Sequence, residues 1–283
     1  MRTGGRPAWH RPCTKGTSVS PVRVHVVSDV HGNAEALARA GEGADALIVL
    51  GDLLDFIDYH DHGSGIFGRL FGADNVSAFA RLRREGTRSE IGAFVRSLWA
   101  SLDDPAAAVD EAVREQYAEL FPAMTAPTYA IPGNVDAPAL WPEYAAEGLH
   151  LVDGLVTEIG GLRFGFVGGS LLPDGAVPTS NAVWRPHLLS RVEFDDRVAR
   201  LRDIDVLCSH IPPSVPELIF DVVSRRLEAG SRSLLDLVRS EQPRWSLFGH
   251  VHQPLSKGAR VGRTECRNVG HFQRTATPYV LRW

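Results

Sequence analysis

The sequence predicts an α/β protein, and three observations carry that expectation. Short apolar runs at residues 22–27, 46–50, 127–131, 204–208 and 245–248 read as strands. Between the first two lies a stretch of helix formers, residues 34–40, closed by Gly41. A strand–helix–strand crossover of that length makes its two strands parallel and neighbouring. Each run also stops on a polar cluster: Asp29 and His31, then Asp52, Asn134, His210, and finally His250 with His252. In open α/β sheets the carboxyl ends of strands are where ligands bind.

Taken in order, Val22, Val24, Val26 and Val27 form the first strand, which breaks at Ser28-Asp29-Val30-His31-Gly32-Asn33. Asn33 is placed to cap the following helix. The second strand ends at Gly51-Asp52-Leu53-Leu54-Asp55. Asp55 reads equally as an orienter of a ligand or as a loop carboxylate. Residues 56–72 are glycine-rich and aromatic, hence a loop beside the presumed crevice. From 75 to about 124 the pattern is helical and reads as an insertion covering a sheet face or the site. Phe79, Leu82, Ile91, Phe94, Val95 and Leu98 recur at three- and four-residue spacing, Asp103-Asp104-Pro105 restarts a helix, and Val109, Val113, Tyr117 and Leu120 continue it.

The third strand runs into Pro132-Gly133-Asn134-Val135-Asp136. Residues 156–159 and 162–167, joined by Gly160-Gly161, are a hairpin. A long polar loop, 168–187, holds Asn181, Trp184, Arg185 and His187, and loops of that length are often functional. Helices are expected at 192–201 and around 234–238, and the last strands near 260–269 and 278–283. No repeat and no Gly/Ser-rich linker divides the chain, so residues 21–283 read as one domain. Residues 1–20, rich in Gly, Pro, Ser and Thr without an apolar core, read as a disordered leader.

Composition narrows the function. With 44% hydrophobic and 23% charged residues over 283 positions, the chain is expected to be globular with a sizeable core. A net charge of −4 argues against a general nucleic-acid binder. No apolar run reaches membrane-spanning length. Three widely spaced cysteines imply no disulfide framework, and a reducing cytoplasm is the expected location. The run Arg81, Arg83, Arg84 and Arg88, interleaved with Glu85 and Glu90, reads as a solvated helix face.

The strand-end clusters carry the chemistry. Seven oxygen and nitrogen donors at five strand ends can surround two divalent cations. Mixed carboxylate and imidazole donors suit Mn²⁺, Fe²⁺, Zn²⁺ or Ni²⁺ better than Ca²⁺. Such a pair attracts phosphate, generates hydroxide at neutral pH, and stabilises both attacking and leaving oxygens. A small phosphorylated substrate is the expected partner.

Asp29-x-His31, Gly51-Asp52-x-x-Asp55, Gly133-Asn134, His210 and Gly249-His250-x-His252 together resemble the five blocks of the calcineurin-like metallophosphoesterase superfamily, in that family's order. The resemblance spans about residues 22–283. It implies a four-layer αββα sandwich of two mixed sheets flanked by helices. It implies one metal on Asp29, His31, Asp52 and His252, and a second on Asp52, Asn134, His210 and His250, with Asp52 bridging. A metal-bridging hydroxide would then attack a phosphodiester or phosphomonoester, with Mn²⁺ the leading metal and Asp52, Asn134, Asp136 and His210 the catalytic set. Asn134, Arg185 and His187 are the expected substrate contacts.

One departure stands out. Most family members carry His after the Gly-Asn pair, to protonate the leaving group; this chain has Val135 and then Asp136, as in a smaller phosphodiesterase-like branch. His60, His62 and His187 are the candidate replacements. The rival readings are a protein Ser/Thr phosphatase, which needs an open groove, and a non-catalytic binding module, which should have lost ligands. A metal-dependent amidohydrolase is weaker still, because its His-x-His should come early.

Overall fold

The computed structural model describes residues 21–173, 175 and 182–283. The expected leader, 1–20, and Asn181 lie outside the described residues. Two sheets dominate. The first runs Tyr279–Arg282, Arg23–Val27, Ala46–Val49, Thr128–Ala130, Leu149–Leu151, with only the edge strand Tyr279–Arg282 antiparallel. The second runs Gly258–Val261, Thr264–Asn268, Trp245–Phe248, Val206–Ser209, Leu162–Val167, Val156–Ile159, with parallel strands in the middle and an antiparallel one at each edge.

Side-chain alternation stacks these sheets. Val24, Val26, Ile48, Phe164, Phe166, Val206 and Leu247 point into one buried cluster between them. Their neighbours Val27, Leu47 and Val49 face the other way, onto Leu37, Phe67, Val113 and Tyr117 of the helical layer. Val167, Leu207 and Phe248 meet Phe194, Val198, Leu234 and Val238 on the far side. Three apolar seams therefore separate four layers, helix–sheet–sheet–helix, as a period of two dictates when a strand is buried on both faces. The four-layer sandwich expected from the sequence is the observed architecture.

Between the second and third strands of the first sheet lie the helices Gly65–Phe71, Ala73–Glu85, Arg88–Trp99 and Pro105–Leu120. The first falls inside the stretch expected to be a loop. Tertiary contact overrides its poor propensity: Ile66 and Phe67 are buried, and Gly68 passes so close to the backbone of His62 and Gly63 that a side chain would collide. The Gly160-Gly161 turn has both residues at positive φ, joining Ile159 to its partner Leu162 as a two-residue hairpin turn does. Among the described residues no helix is long and apolar enough to cross a membrane.

Candidate metal centre

The parallel strands of both sheets end on one side of the molecule, and the polar clusters converge there. Asp29 and His31 follow Arg23–Val27, Asp52 follows Ala46–Val49, Asn134 follows Thr128–Ala130, His210 follows Val206–Ser209, and His250 and His252 follow Trp245–Phe248. Asp29, His31, Asp52 and His250 have φ of +57°, +40°, +52° and +66°, half of the eight non-glycine residues in the left-handed region among those described. Such conformations cost about 1–3 kcal/mol each and persist where the surroundings over-determine them. The adjoining glycines permit the crowding: a Cβ on Gly133 would strike the Asp52 carboxylate, and one on Gly249 would strike Ser28 and Asp29.

The donors lie within a few ångströms of one another. His31 Nε2 is 3.2 Å from His252 Nε2 and 4.0 Å from both Asp29 Oδ1 and Asp52 Oδ2. His252 Nε2 is 3.3 Å from Asp29 Oδ1. Across the cluster, His210 Nε2 is 3.5 Å from Asp52 Oδ2 and 3.0 Å from Asn134 Oδ1. Asp29, His31 and Asp52 form one potential ligand group and Asp52, His210 and His250 another, so Asp52 is common to both.

Backbone contacts orient these side chains. His31 Nδ1 faces Leu54 O at 3.0 Å and His210 Nδ1 faces Leu50 O at 2.8 Å, which places the proton on Nδ1 and leaves each Nε2 as the donor. Asp29 accepts the His250 N–H (2.9 Å), and Asp52 accepts the Val135 N–H (2.9 Å). Each carboxylate thus ties its own strand end to another.

Electrostatics set the charge this pocket demands. Burial pushes the Asp29 carboxyl up, but His252, His210 and His31 outweigh it and hold the group well below the usual carboxylate range. Burial likewise opposes ionisation of Asp52, which His210 and His31 nonetheless hold at about 2. The same carboxylates, against the effect of burial, lift His210 to about 9 and raise His252. Burial, with the neighbouring His210, pushes His250 down to about 4. The two carboxylates thus favour positive charge at His210 and His252. Among the described residues His250 Nε2 is buried with no hydrogen-bond partner, and the lone pair of His31 Nε2 faces the His252 nitrogen. Orphaned nitrogens beside ionised carboxylates are the donor set a divalent cation satisfies.

Other expected residues fall differently. Asp136, expected in the catalytic set, faces the loops instead. Its Oδ2 accepts Gly133 N–H at 2.8 Å and its Oδ1 accepts Leu53 N–H at 3.0 Å, so it fastens the Asn134 loop to the Asp52 loop. The Asp55 carboxyl lies close to Gly65 and hydrogen-bonds Ser64, and His31 is oriented by the Leu54 carbonyl instead. His60 is exposed, and His62 pairs with Ser77 at 2.6 Å. His187 lies nearest the ligand loops: its N–H donates to Asn134 O at 2.7 Å, and its Nε2 is buried without a partner among the described residues. Arg185 is exposed on the same segment, which Trp184 secures by stacking on Phe56 at 4.4 Å.

Sequence reasoning missed His271, whose ring stacks on His252 at 3.8 Å. The signal was available: Gly270-His271 repeats the glycine-then-donor pattern of Gly51-Asp52, Gly133-Asn134 and Gly249-His250 directly after a strand.

The family model for calcineurin-like phosphoesterases matches residues 22–254. The chain belongs to that family. This phosphoesterase is accordingly a metal-dependent phosphoric ester hydrolase, and the clustered His and Asp groups are its candidate metal-binding groups. The crystal structure of TT1561 from Thermus thermophilus shares its fold at a TM-score of 0.54 and 16% identity, over 93% of this chain and 99% of that one. A structure described as a novel archaeal phosphodiesterase matches at a TM-score of 0.37 and 12% identity, over 92% and 91% of the two chains. None of the curated proteins compared matches the sequence.

Proposed function

We propose that this phosphoesterase holds two divalent cations, one on Asp29, His31, Asp52 and His252 and one on Asp52, Asn134, His210 and His250. With them it hydrolyses a small phosphodiester or phosphomonoester. The observation that carries the reading is the pairing of two donor groups through Asp52. The donor set suits Mn²⁺ first, then Fe²⁺, Zn²⁺ or Ni²⁺. When bound, the cations would supply Lewis acidity to the phosphoryl oxygens and lower the pKa of an attacking water.

The chain's own residues do the rest. Leu54 O and Leu50 O keep His31 and His210 in the tautomer that presents Nε2. The His250 and Val135 amides fix the rotation of Asp29 and Asp52. Asn134 stands beside His210, where its amide oxygen and nitrogen can serve cation and phosphate respectively. Val135 offers no proton to a leaving group. His187 and Arg185, on the segment bonded to Asn134, are the proposed contacts to the substrate beyond its phosphate.

Asp52→Asn is the deciding variant. It should lower bound metal and hydrolysis of a chromogenic phosphodiester together, measured by elemental analysis and initial rates. Unchanged metal content with unchanged turnover would sink the assignment.

A further inference from the structure

We propose that His271 is an additional donor to the cation held by Asp29, His31, Asp52 and His252. That position would then be gripped by three imidazoles. The inference rests on the two-metal reading and adds to it a residue outside the five motif blocks.

His271 follows the strand Thr264–Asn268, which lies parallel to Trp245–Phe248, so its backbone emerges on the same side of the sheet as His250 and His252. The residue is 8% exposed, its ring stacks on His252 at 3.8 Å and 18°, and it meets His31 edge-on at 5.6 Å and 90°. One ring nitrogen each from His31, His252 and His271 lies within 4.8 Å of the others. Nitrogens sharing a cation at about 2.0–2.1 Å stand no more than about 4.2 Å apart. Closure therefore requires a contraction of less than about 1 Å and a turn of the His271 ring out of its stack on His252, because lone pairs in the planes of two stacked rings cannot meet at one cation.

The hydrogen bonds also set the tautomer. Gln273 Nε2 donates to His31 O at 3.1 Å, which turns its Oε1 towards His271 Nε2 at 3.2 Å. Only an N–H can satisfy that oxygen, so His271 Nε2 carries the proton and Nδ1 keeps the lone pair. The segment is bolted to the first ligand loop as well. Phe272 N–H bonds Ser28 O, Gln273 N–H bonds Asp29 O, and Asn33 Nδ2 bonds Gln273 O, all between 2.9 and 3.0 Å. A ring that merely filled space would not need its tautomer fixed by the residue that also grips His31.

Two variants and one spectrum test this. His271→Phe keeps a ring against His252 and removes the donor, whereas His271→Ala removes both. Titration of metal-free protein with Mn²⁺, against a competing chelator, should show the tighter site weakened at least about tenfold in both variants, as loss of a metal-site partner does. X-ray absorption of the wild type with one equivalent of Zn²⁺ should count three imidazoles, and this needs no variant to fold. Wild-type affinity in H271F beside a weakened H271A would assign the ring to packing and overturn the proposal. So would an imidazole count that is the same in H271F as in the wild type. Wild-type protein that takes up no divalent cation would remove the two-metal reading itself, whereas two cations bound unchanged in H271F would remove the role of His271 alone.

Discussion

Asp136→Asn asks whether a buried carboxylate that touches no ligand side chain sets the metal centre. Asp136 is 1% exposed, and its Oδ1 accepts from Leu53 N–H, from Leu54 N–H at 3.3 Å and from the Tyr117 hydroxyl at 3.4 Å. Its Oδ2 accepts from Gly133 N–H. Asparagine keeps the shape but offers one acceptor where two are needed. With its oxygen turned to Leu53 and Leu54, its Nδ2 faces the Gly133 N–H and leaves that buried donor unsatisfied. The expected cost is about 1–3 kcal/mol. Burial and the Asp52 charge push Asp136 up to about 7, so deleting its charge offsets part of the loss, and the lower half of the range is expected. Because Gly133 precedes Asn134, the cation on Asn134, His210 and His250 should weaken about 10- to 100-fold, as loss of an outer partner does. Urea melts of metal-free protein and chelator competition read the two effects separately. A variant with wild-type stability and both cations held normally would refute the tether.

Two further outcomes follow from the same loops. Burial, with Asp58 nearby, pushes Asp55 up to about 7 from 3.8, so its contribution to stability is full below about pH 4 and is lost as pH rises through 7. Asp55→Asn should therefore match the wild type near pH 4 and exceed it at pH 8 by up to about 4 kcal/mol in urea melts; an equal difference at both pH values would contradict this. Val135→His puts an acid next to Asn134 without disturbing the backbone N–H that bonds Asp52. It should speed hydrolysis of alkyl esters, towards the roughly 10²–10⁴-fold that general acids supply, while leaving nitrophenyl esters unchanged. Equal gains on both substrates would argue against proton donation.

The parts legible from sequence were those with a local physical cause. Buried parallel strands must be apolar, and a strand that stops on glycine followed by a donor advertises both the tight turn and the ligand. Hence Asp52, Asn134 and His250 could be placed before any coordinates. Helix Gly65–Phe71 was hidden because its glycines argue against a helix, and only packing of Ile66 and Phe67 selects one. Strand Leu149–Leu151 was hidden because three residues at a sheet edge show no period. The stretch expected as one strand at 260–269 is a hairpin, Gly258–Val261 with Thr264–Asn268, turned at Gly262 with φ +58°. Asp136 entered the catalytic set through the family resemblance; that it faces backbone amides depends on the Asp52 loop, which lies far away in sequence.

That last case shows how the centre is built. The strained residues of the candidate centre are not held by their own strands. Asp29 N–H bonds Gly51 O, His31 N–H bonds Asp52 O, Gly32 N–H bonds Leu53 O, and Gly249 N–H bonds His210 O. Each strand end is therefore fixed by the next one across the crevice, through backbone groups that any sequence would supply. What the sequence adds is the small set of residues able to occupy those positions: glycine where a Cβ would strike a carboxylate, and Asp or His where the left-handed backbone turns a donor inward. The donor geometry is set by the polypeptide, and the charge on Asp29 and Asp52 makes a cation, rather than a neutral ligand, the group that fits it.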